Sequence, residues 1–494
     1  MDNSSYQSLK SRSLIVLTSQ VIKLSIQVTA IVIFSRLLSP EVFGLYAMVA
    51  VFVALAELMR DFGLSTTALS THRISQQSAS NMFWLNLIQG VVACAVIAAL
   101  SPFCAAVFSQ PILTQLQPVL AINLLINGFQ IQFQVHLAKR GKILVLAMTD
   151  ILAPLVGLIA GLASYFSGLG FWSLAVQSLV TPTTLALSRL LASEWRPSLP
   201  KNLRFENGFL DHSWKYGFGH LASYLMRNVD NFMIGLIWGP LNLGIYARAY
   251  QLQTLPLVGA LAPLTTVIVP KLVEDGEDNS SPQLSLHRLQ FVIGLSGCFL
   301  FGLAGSTASM ILPWLLGENW EGSAKIFLIL AIAGMFETLS VVNYWRFLST
   351  NQGGKFLMTN LISGSIGILF VIVASLFGVT AVAVAVVVNQ IMHWSIAIVI
   401  QNNYFGKSDL KFGSQGIAIA FSGSLALASS YYLQSFLTKL NYPVLGILTL
   451  QTASVTAVIL ICAFSFKGTR PQFLFFLENS LRRSKQKGNR GKQI

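Results

Sequence analysis

Residues 37–47 read LLSPEVFGLYA, and residues 237–247 read IWGPLNLGIYA. The two stretches align without a gap: Pro40, Gly44, Tyr46 and Ala47 fall on Pro240, Gly244, Tyr246 and Ala247. Proline lacks the N–H that a helix interior uses, and glycine lets the backbone reverse or approach closely, so both suit a short link between helices. Each copy occupies that slot, between two long apolar segments. A match in register over this distance describes an architecture and not a local turn.

The 494-residue chain is 54% hydrophobic and 10% charged, with a mean hydropathy of +0.66. A soluble domain carries roughly a quarter charged residues, so the composition is that of a polytopic membrane protein. The net charge of +14 would suggest nucleic acid in a soluble chain. Here the basic residues gather in short links and at the C-terminus, as in loops held on the cytoplasmic face, and no nucleic-acid partner is implied. Cys94, Cys104, Cys298 and Cys462 lie in apolar surroundings without a C-x-x-C pair, so neither a disulfide framework nor a metal site is expected. Lys10 and Arg12 precede an apolar run long enough to span, which reads as an uncleaved first helix.

A span needs about 20 mostly apolar residues. Fourteen segments qualify, near residues 13–38, 42–67, 81–108, 113–137, 143–166, 168–192, 213–238, 243–272, 289–316, 324–348, 355–377, 379–401, 413–435 and 443–466. With a cytoplasmic N-terminus, links after even-numbered spans hold Arg73; Lys139, Arg140 and Lys142; Arg196, Lys201 and Arg204; Lys271 and Arg288; Lys355; and Lys407 with Lys411. Links after odd-numbered spans offer only Lys325 and Lys439. That alternation favours fourteen spans with both termini inside.

The repeat offset covers six spans, an even number, so the halves share an orientation and are related by an axis along the membrane normal. The expected fold is an all-α polytopic membrane protein with two parallel six-helix repeats and two extra C-terminal helices. Its parts are an N-terminal lobe (1–195), a cytoplasmic linker (196–208), a second lobe (209–402), spans 13 and 14 (403–467) and a basic cytoplasmic tail (468–494). The tail, LRRSKQKGNRGK at 481–492, suits contact with anionic membrane lipids.

Ionisable side chains inside a span are costly and mark candidate functional sites. In span 1, Gln20, Lys23 and Gln27 share a face. Glu57, Arg60 and Asp61 cluster in span 2, and Arg227, Asp230 and Asn231, with Asn228 beside them, in span 7. Glu337 is central in span 10, Asp150 lies in the inner half of span 5, and Arg36 and Arg248 lie near the outer ends of spans 1 and 8. These charges do not obey the repeat: Lys23 maps onto Ser223 and Arg227 onto Gln27. Two readings stand beside each other. Glu57 with Arg60, and Arg227 with Asp230, would neutralise each other as structural pairs, while Arg346, beside Tyr344 and Trp345, would reach the interface. Lys23 and Arg227, at similar depth, would instead line a cavity suited to an anionic group such as phosphate.

At these residues the sequence resembles a known family. SRLLSPEVFGLYAMVAVFVALAELMRDFGLSTTAL (35–69) and MRNVDNFMIGLIWGPLNLGIYARAYQLQTLPL (226–257) look like the signature stretches of the bacterial polysaccharide transporters, the Wzx-type oligosaccharide flippases, in the branch of colanic acid exporters. That family shares a superfamily with lipid II flippases and MATE multidrug exporters. The resemblance is strong over about residues 13–273 and diffuse afterwards. It implies transport of an undecaprenyl-pyrophosphate-linked sugar repeat unit across the inner membrane by alternating access, beside a polysaccharide polymerase and chain-length regulators. The family pattern maps onto Arg36, Pro40 and Gly44, and onto Arg227, Asp230, Asn231, Gly244, Tyr246 and Arg248. Where relatives often carry a basic residue, near Thr266, this chain has none.

The expected substrate contacts are thus Lys23, Arg36, Arg227, Arg248, Asn228 and Asn231. Glu57, Arg60, Asp61, Asp230 and Glu337 are left as coupling groups or structural pairs. No G-x-x-x-x-G-K-[ST] loop is present, which argues against an ATP-driven exporter. No catalytic constellation or long outer loop appears, which argues against an integral membrane enzyme, and no cofactor is implied. The nearer rival is a cation-coupled multidrug antiporter on the same scaffold, which calls for a cavity dominated by carboxylates.

Overall fold

The computed structural model describes residues 3–61, 76–200, 209–277, 282–401, 407–466 and 469–475, which contain helices and links and no strand. In chain order the α-helices are α1 (Asn3–Leu37), α2 (Pro40–Asp61), α3 (Gln76–Ala99), α4 (Ser101–Val107), α5 (Leu113–Lys139), α6 (Ile143–Ser164), α7 (Ser173–Ala192), α8 (Phe209–Pro256), α9 (Ala262–Glu277), α10 (Pro282–Leu316), α11 (Glu321–Ser349), α12 (Gly353–Ser375), α13 (Val379–Gln401), α14 (Lys407–Lys439) and α15 (Val444–Ser465).

Ten segments among the described residues are long and apolar enough to cross a membrane. The chain is therefore a multi-pass membrane protein. The helices depart from the fourteen expected spans for local reasons. α6 and α7 share one apolar stretch, Ile143–Ala192, parted by a π turn at Tyr165–Leu169, in which Gly168 takes φ 89°, and a 3-10 turn at Gly170–Trp172. Glutamines from Gln115 to Gln134 dilute the hydropathy of α5. The third expected span breaks between α3 and α4, where Pro102 stands at the head of α4. The eighth breaks at a π turn, Leu257–Leu261, directly after Pro256, whose missing N–H removes a helical hydrogen bond. The seventh and eighth are joined: α8 runs through both and departs from helical geometry at Gly239, with φ 76° and ψ −177°. A side chain there would be strained in that left-handed region, which glycine tolerates.

Two compact units divide the chain, Met1–Ala247 and Arg248–Ile494. In the first, Ala30 and Phe34 of α1 pack on Leu158 of α6, and the tip of the Phe34 ring rests on Gly161. Ala56 of α2 packs with Ile97, Ala121 and Leu124 of α3 and α5. Phe52, Phe108 and Phe232 form an edge-on triangle, with ring centroids 5.6 to 6.3 Å apart, tying α8 to α2. In the second unit Phe301, Met335, Leu339, Ile419 and Val455 share a core among α10, α11, α14 and α15. Trp345 and Val342 pack with Leu286 and Phe412 in another. Large apolar side chains such as Phe166, Trp314, Phe377 and Leu445 remain exposed, as lipid-facing positions should.

Candidate functional site

The two quoted stretches touch each other. α2 begins at Pro40, a position where proline fits because the first-turn N–H has no helical partner; Glu41 adds a favourable charge in that turn. Pro240 follows the Gly239 break and restarts the helix in the same way. The two starts then meet backbone to backbone within the first unit. A Cβ on Gly44 would land on the Pro240 carbonyl oxygen, and one on Gly244 on the Pro40 carbonyl oxygen. The contact is reciprocal, which explains why the spacing from proline to glycine is kept in both copies. The equivalent tyrosines have diverged. Tyr46 donates to the Phe171 carbonyl at 3.3 Å, whereas Tyr246 donates to Asp230 at 2.6 Å.

That second bond decides the state of the α8 charges. Asp230 is 4% exposed and accepts from the Tyr246 hydroxyl and from the Asn231 N–H, the latter at 2.8 Å. The alternative pairing of Arg227 with Asp230 is not formed: Arg227 is exposed, and neither it nor Lys23 has an ion-pair partner among the described residues. Tyr224 holds the same stretch of α8 to α2 through a 2.7 Å bond to the Val51 carbonyl. Asn228 donates back to the Tyr224 carbonyl.

Depth follows from helix geometry. Arg227 precedes Gly239, and Lys23 precedes Leu37, by a stretch that rises about 20 Å along each helix. Both therefore sit inside the membrane, about two thirds of the way across its hydrocarbon core, if Leu37 and Gly239 mark one edge. A charge at that depth needs water, a counter-charge or a ligand. Lys23 is half-buried and Gln27 exposed on the face that continues to Ala30 and Phe34.

The other expected residues are placed as follows. Arg36 is exposed in the last turn of α1. Glu57 is half-buried on α2, and the side chains of Arg60 and Asp61 lie outside the described residues. In the second unit Arg248 is 5% exposed; its guanidinium lies 5.2 Å from the centre of the buried Trp320 ring and donates to Gln251 at 2.6 Å. Half-buried Glu337 accepts from Gln253 at 3.0 Å. Arg346 is buried with its guanidinium 5.5 Å from the Phe412 ring, so it does not reach outward as expected.

Sequence reasoning missed one cluster. Arg189 of α7, 3% exposed, pairs with Asp150 of α6 at 2.7 Å and donates to Gln130 at 2.5 Å and Gln134 at 2.9 Å on α5. α1 packs alongside, and Lys23 stands about three turns before Phe34 as Asp150 does before Gly161. Lys23 and the Asp150–Arg189 pair thus lie at one level. An arginine inside an apolar segment was the available signal; its three partners are scattered over two other helices, where spacing cannot reveal them.

Residues 33–325 match the family model described as polysaccharide biosynthesis protein. The chain belongs to that family. It is 23% identical over 333 residues to the lipopolysaccharide biosynthesis protein WzxC of Escherichia coli K12, covering 65% of each chain. It is 25% identical over 292 residues to the teichuronic acid biosynthesis protein TuaB of Bacillus subtilis 168, covering 58% of this chain and 59% of that one. The chain thus spans about three fifths to two thirds of the length of these relatives. Among solved structures, its fold is that of the lipid II flippase MurJ in an inward closed conformation, with a TM-score of 0.71 and 14% identity, covering 92% of this chain and 98% of that one.

Proposed function

We propose that this protein is a secondary transporter, not an enzyme, that flips undecaprenyl-pyrophosphate-linked oligosaccharide repeat units across the bacterial inner membrane for surface or exopolysaccharide synthesis. The observation that carries the reading is the pair of deep cations, Lys23 and Arg227, without an ion-pair partner among the described residues. A guanidinium and an ammonium that both face one low-dielectric passage attract a pyrophosphate, and the guanidinium grips it through two parallel hydrogen bonds. Asn231, whose side-chain oxygen is buried without a hydrogen-bond partner among the described residues, and Asn228 stand beside Arg227 for the sugar hydroxyls. Arg36, at the edge of the same unit, attracts the anion as it arrives or leaves.

In this reading the chain has fourteen spans with both termini cytoplasmic, and two like-oriented lobes, 1–195 and 209–402, alternate between inward and outward access. The reciprocal Pro40–Gly244 and Gly44–Pro240 contact is the closed outer gate, which must part to release the substrate. Polysaccharide polymerase and chain-length regulators take up the product. The relatives named for lipopolysaccharide and teichuronic acid biosynthesis and the lipid II flippase fold support a lipid-linked glycan over a drug. A cation-coupled antiporter needs a titrating carboxylate in its passage; Asp230, held by Tyr246, is committed to the helix, which leaves half-buried Glu57 and Glu337 as the groups this rival would use.

The test is Arg227→Ala in the cell that makes the polysaccharide. Export falls at least about tenfold, the equivalent of one lost charge-assisted contact, with unchanged protein in the membrane. Arg227→Lys restores part of it. Export at the normal level with alanine would remove the assigned role.

A further inference from the structure

The second unit carries a pocket far from Lys23 and Arg227 in sequence, with apolar walls and a set of polar side chains. It is an open cleft of about 840 Å³ where the end of α10, the end of α14 and the start of α15 come together. Ser309, Gln434, Ser435, Thr438, Lys439 and Asn441 supply its donors and acceptors, and the rings of Tyr431 and Tyr442 stand at its rim. Helices that faced only hydrocarbon would have no use for so many hydrogen-bonding side chains at one place.

The pocket is pre-built. Under it lies a buried polar floor: Ser430 donates to Ser306 at 2.9 Å, Gln434 to Ser309 at 3.0 Å, and Gln451, wholly buried, to Gln434 at 3.3 Å. The Gln434 amide is therefore held on both sides, and the Ser309 hydroxyl, having accepted from it, turns its proton elsewhere. At the rim, α14 ends in a Schellman closure: Tyr442 N–H bonds to the Leu437 carbonyl and Asn441 N–H to the Thr438 carbonyl, with Asn441 at φ 53°. The Tyr442 ring is seated against Gly446, where any Cβ would strike it. Both tyrosines are still accessible, at 40% and 48% exposure.

We propose that this pocket binds a sugar of the transported glycan, at a second site apart from the pyrophosphate-binding cations. The chemistry fits a pyranose: hydroxyls on its edge meet serine, threonine, asparagine and glutamine groups that both donate and accept, and its C–H face lies on a tyrosine ring. The volume suits one to three sugar residues, and Lys439 favours an acidic one. In the topology given above the link between α14 and α15 faces outward, so the site receives the headgroup as it emerges. The proposal rests on the reading that the substrate is a lipid-linked glycan.

The test uses the full chain in lipid nanodiscs and two soluble probes, each followed by saturation-transfer NMR. One is the repeat-unit oligosaccharide released by mild acid from the producing cell's own lipid-linked intermediates. The other is sn-glycerol 3-phosphate, standing for a lipid headgroup. The oligosaccharide binds, Tyr442→Ala and Tyr431→Ala each weaken it about tenfold with unchanged thermal unfolding, and Arg227→Ala leaves it intact. Binding of glycerol phosphate with none of the oligosaccharide would make this a lipid site and overturn the proposal. Oligosaccharide binding untouched by both tyrosine variants, or absent altogether, would overturn it too. Each of these results leaves the flippase reading standing if Arg227→Ala still lowers export at least about tenfold; normal export by that variant sinks the flippase reading by itself.

Discussion

Arg189 in the first unit and Arg248 in the second are almost equally buried, at 3% and 5% exposure, yet their surroundings differ. Arg189 meets a carboxylate and two amide oxygens on two neighbouring helices. Arg248 lies against the Trp320 ring and donates to Gln251 one turn away on its own helix. A guanidinium can thus be buried against a counter-charge or against an aromatic face. The first unit also holds Lys23 and Arg227, which have no ion-pair partner among the described residues. In this unit one carboxylate is taken by Arg189 and another accepts from Tyr246; in the proposed function Lys23 and Arg227 meet the incoming anion.

The largest expected effect concerns the reciprocal hinge. Gly44→Val forces a side chain onto the Pro240 carbonyl, costing about 3 kcal/mol or more and abolishing export; the thermal unfolding midpoint of the purified protein reads it. A variant that unfolds and exports normally would mean that the two helix starts do not touch. Next comes the comparison of the two arginines. Arg189→Met strands Asp150 beside apolar neighbours and costs about 2–3 kcal/mol, below the full figure for a buried pair because Asp150 keeps some solvent access. The double change Asp150→Leu with Arg189→Met recovers most of that loss. Arg248→Met, which removes the Trp320 contact and the Gln251 hydrogen bond, costs less, about 1 kcal/mol. Equal losses at the two sites would erase the distinction.

The smallest effect lies at the surface. The Lys142 ammonium, 2.8 Å from Glu194, hydrogen-bonds its carboxyl and holds it below the usual carboxylate range. A lowered folded pKa contributes stability above the unfolded value, which is lost as pH falls through the folded one. Glu194→Gln therefore shifts the unfolding midpoint slightly at pH 7 and not at all once the carboxyl is protonated in both the folded and unfolded chain. A difference that grew on acidification would have the wrong sign.

Much of this was legible in the sequence. Apolar run lengths gave the helical membrane class, and the matched prolines and glycines gave two equivalent helix starts. That the two starts press on each other was not legible, since a repeat fixes register but not which copies meet. The spacing of Arg227 and Asp230 suggested a pair on one helix face; Tyr246, beyond the Gly239 break, takes the carboxylate because the chain folds back there. Helix interruptions at Leu100 and at Leu257–Leu261 follow Pro102 and Pro256, yet hydropathy averages run straight across both. Arg346 was expected at the interface because it borders aromatic residues, and Phe412, on a distant helix, supplied a buried face instead.

The central claim is that Lys23 and Arg227 hold the pyrophosphate of a lipid-linked glycan. Native mass spectrometry of the intact protein with undecaprenyl pyrophosphate and undecaprenyl monophosphate tests it most directly. The account predicts that the pyrophosphate binds at least about tenfold more tightly, and that this preference disappears in the Lys23→Ala, Arg227→Ala double variant. Equal affinity for the two lipids, or a preference unchanged in the variant, would contradict it.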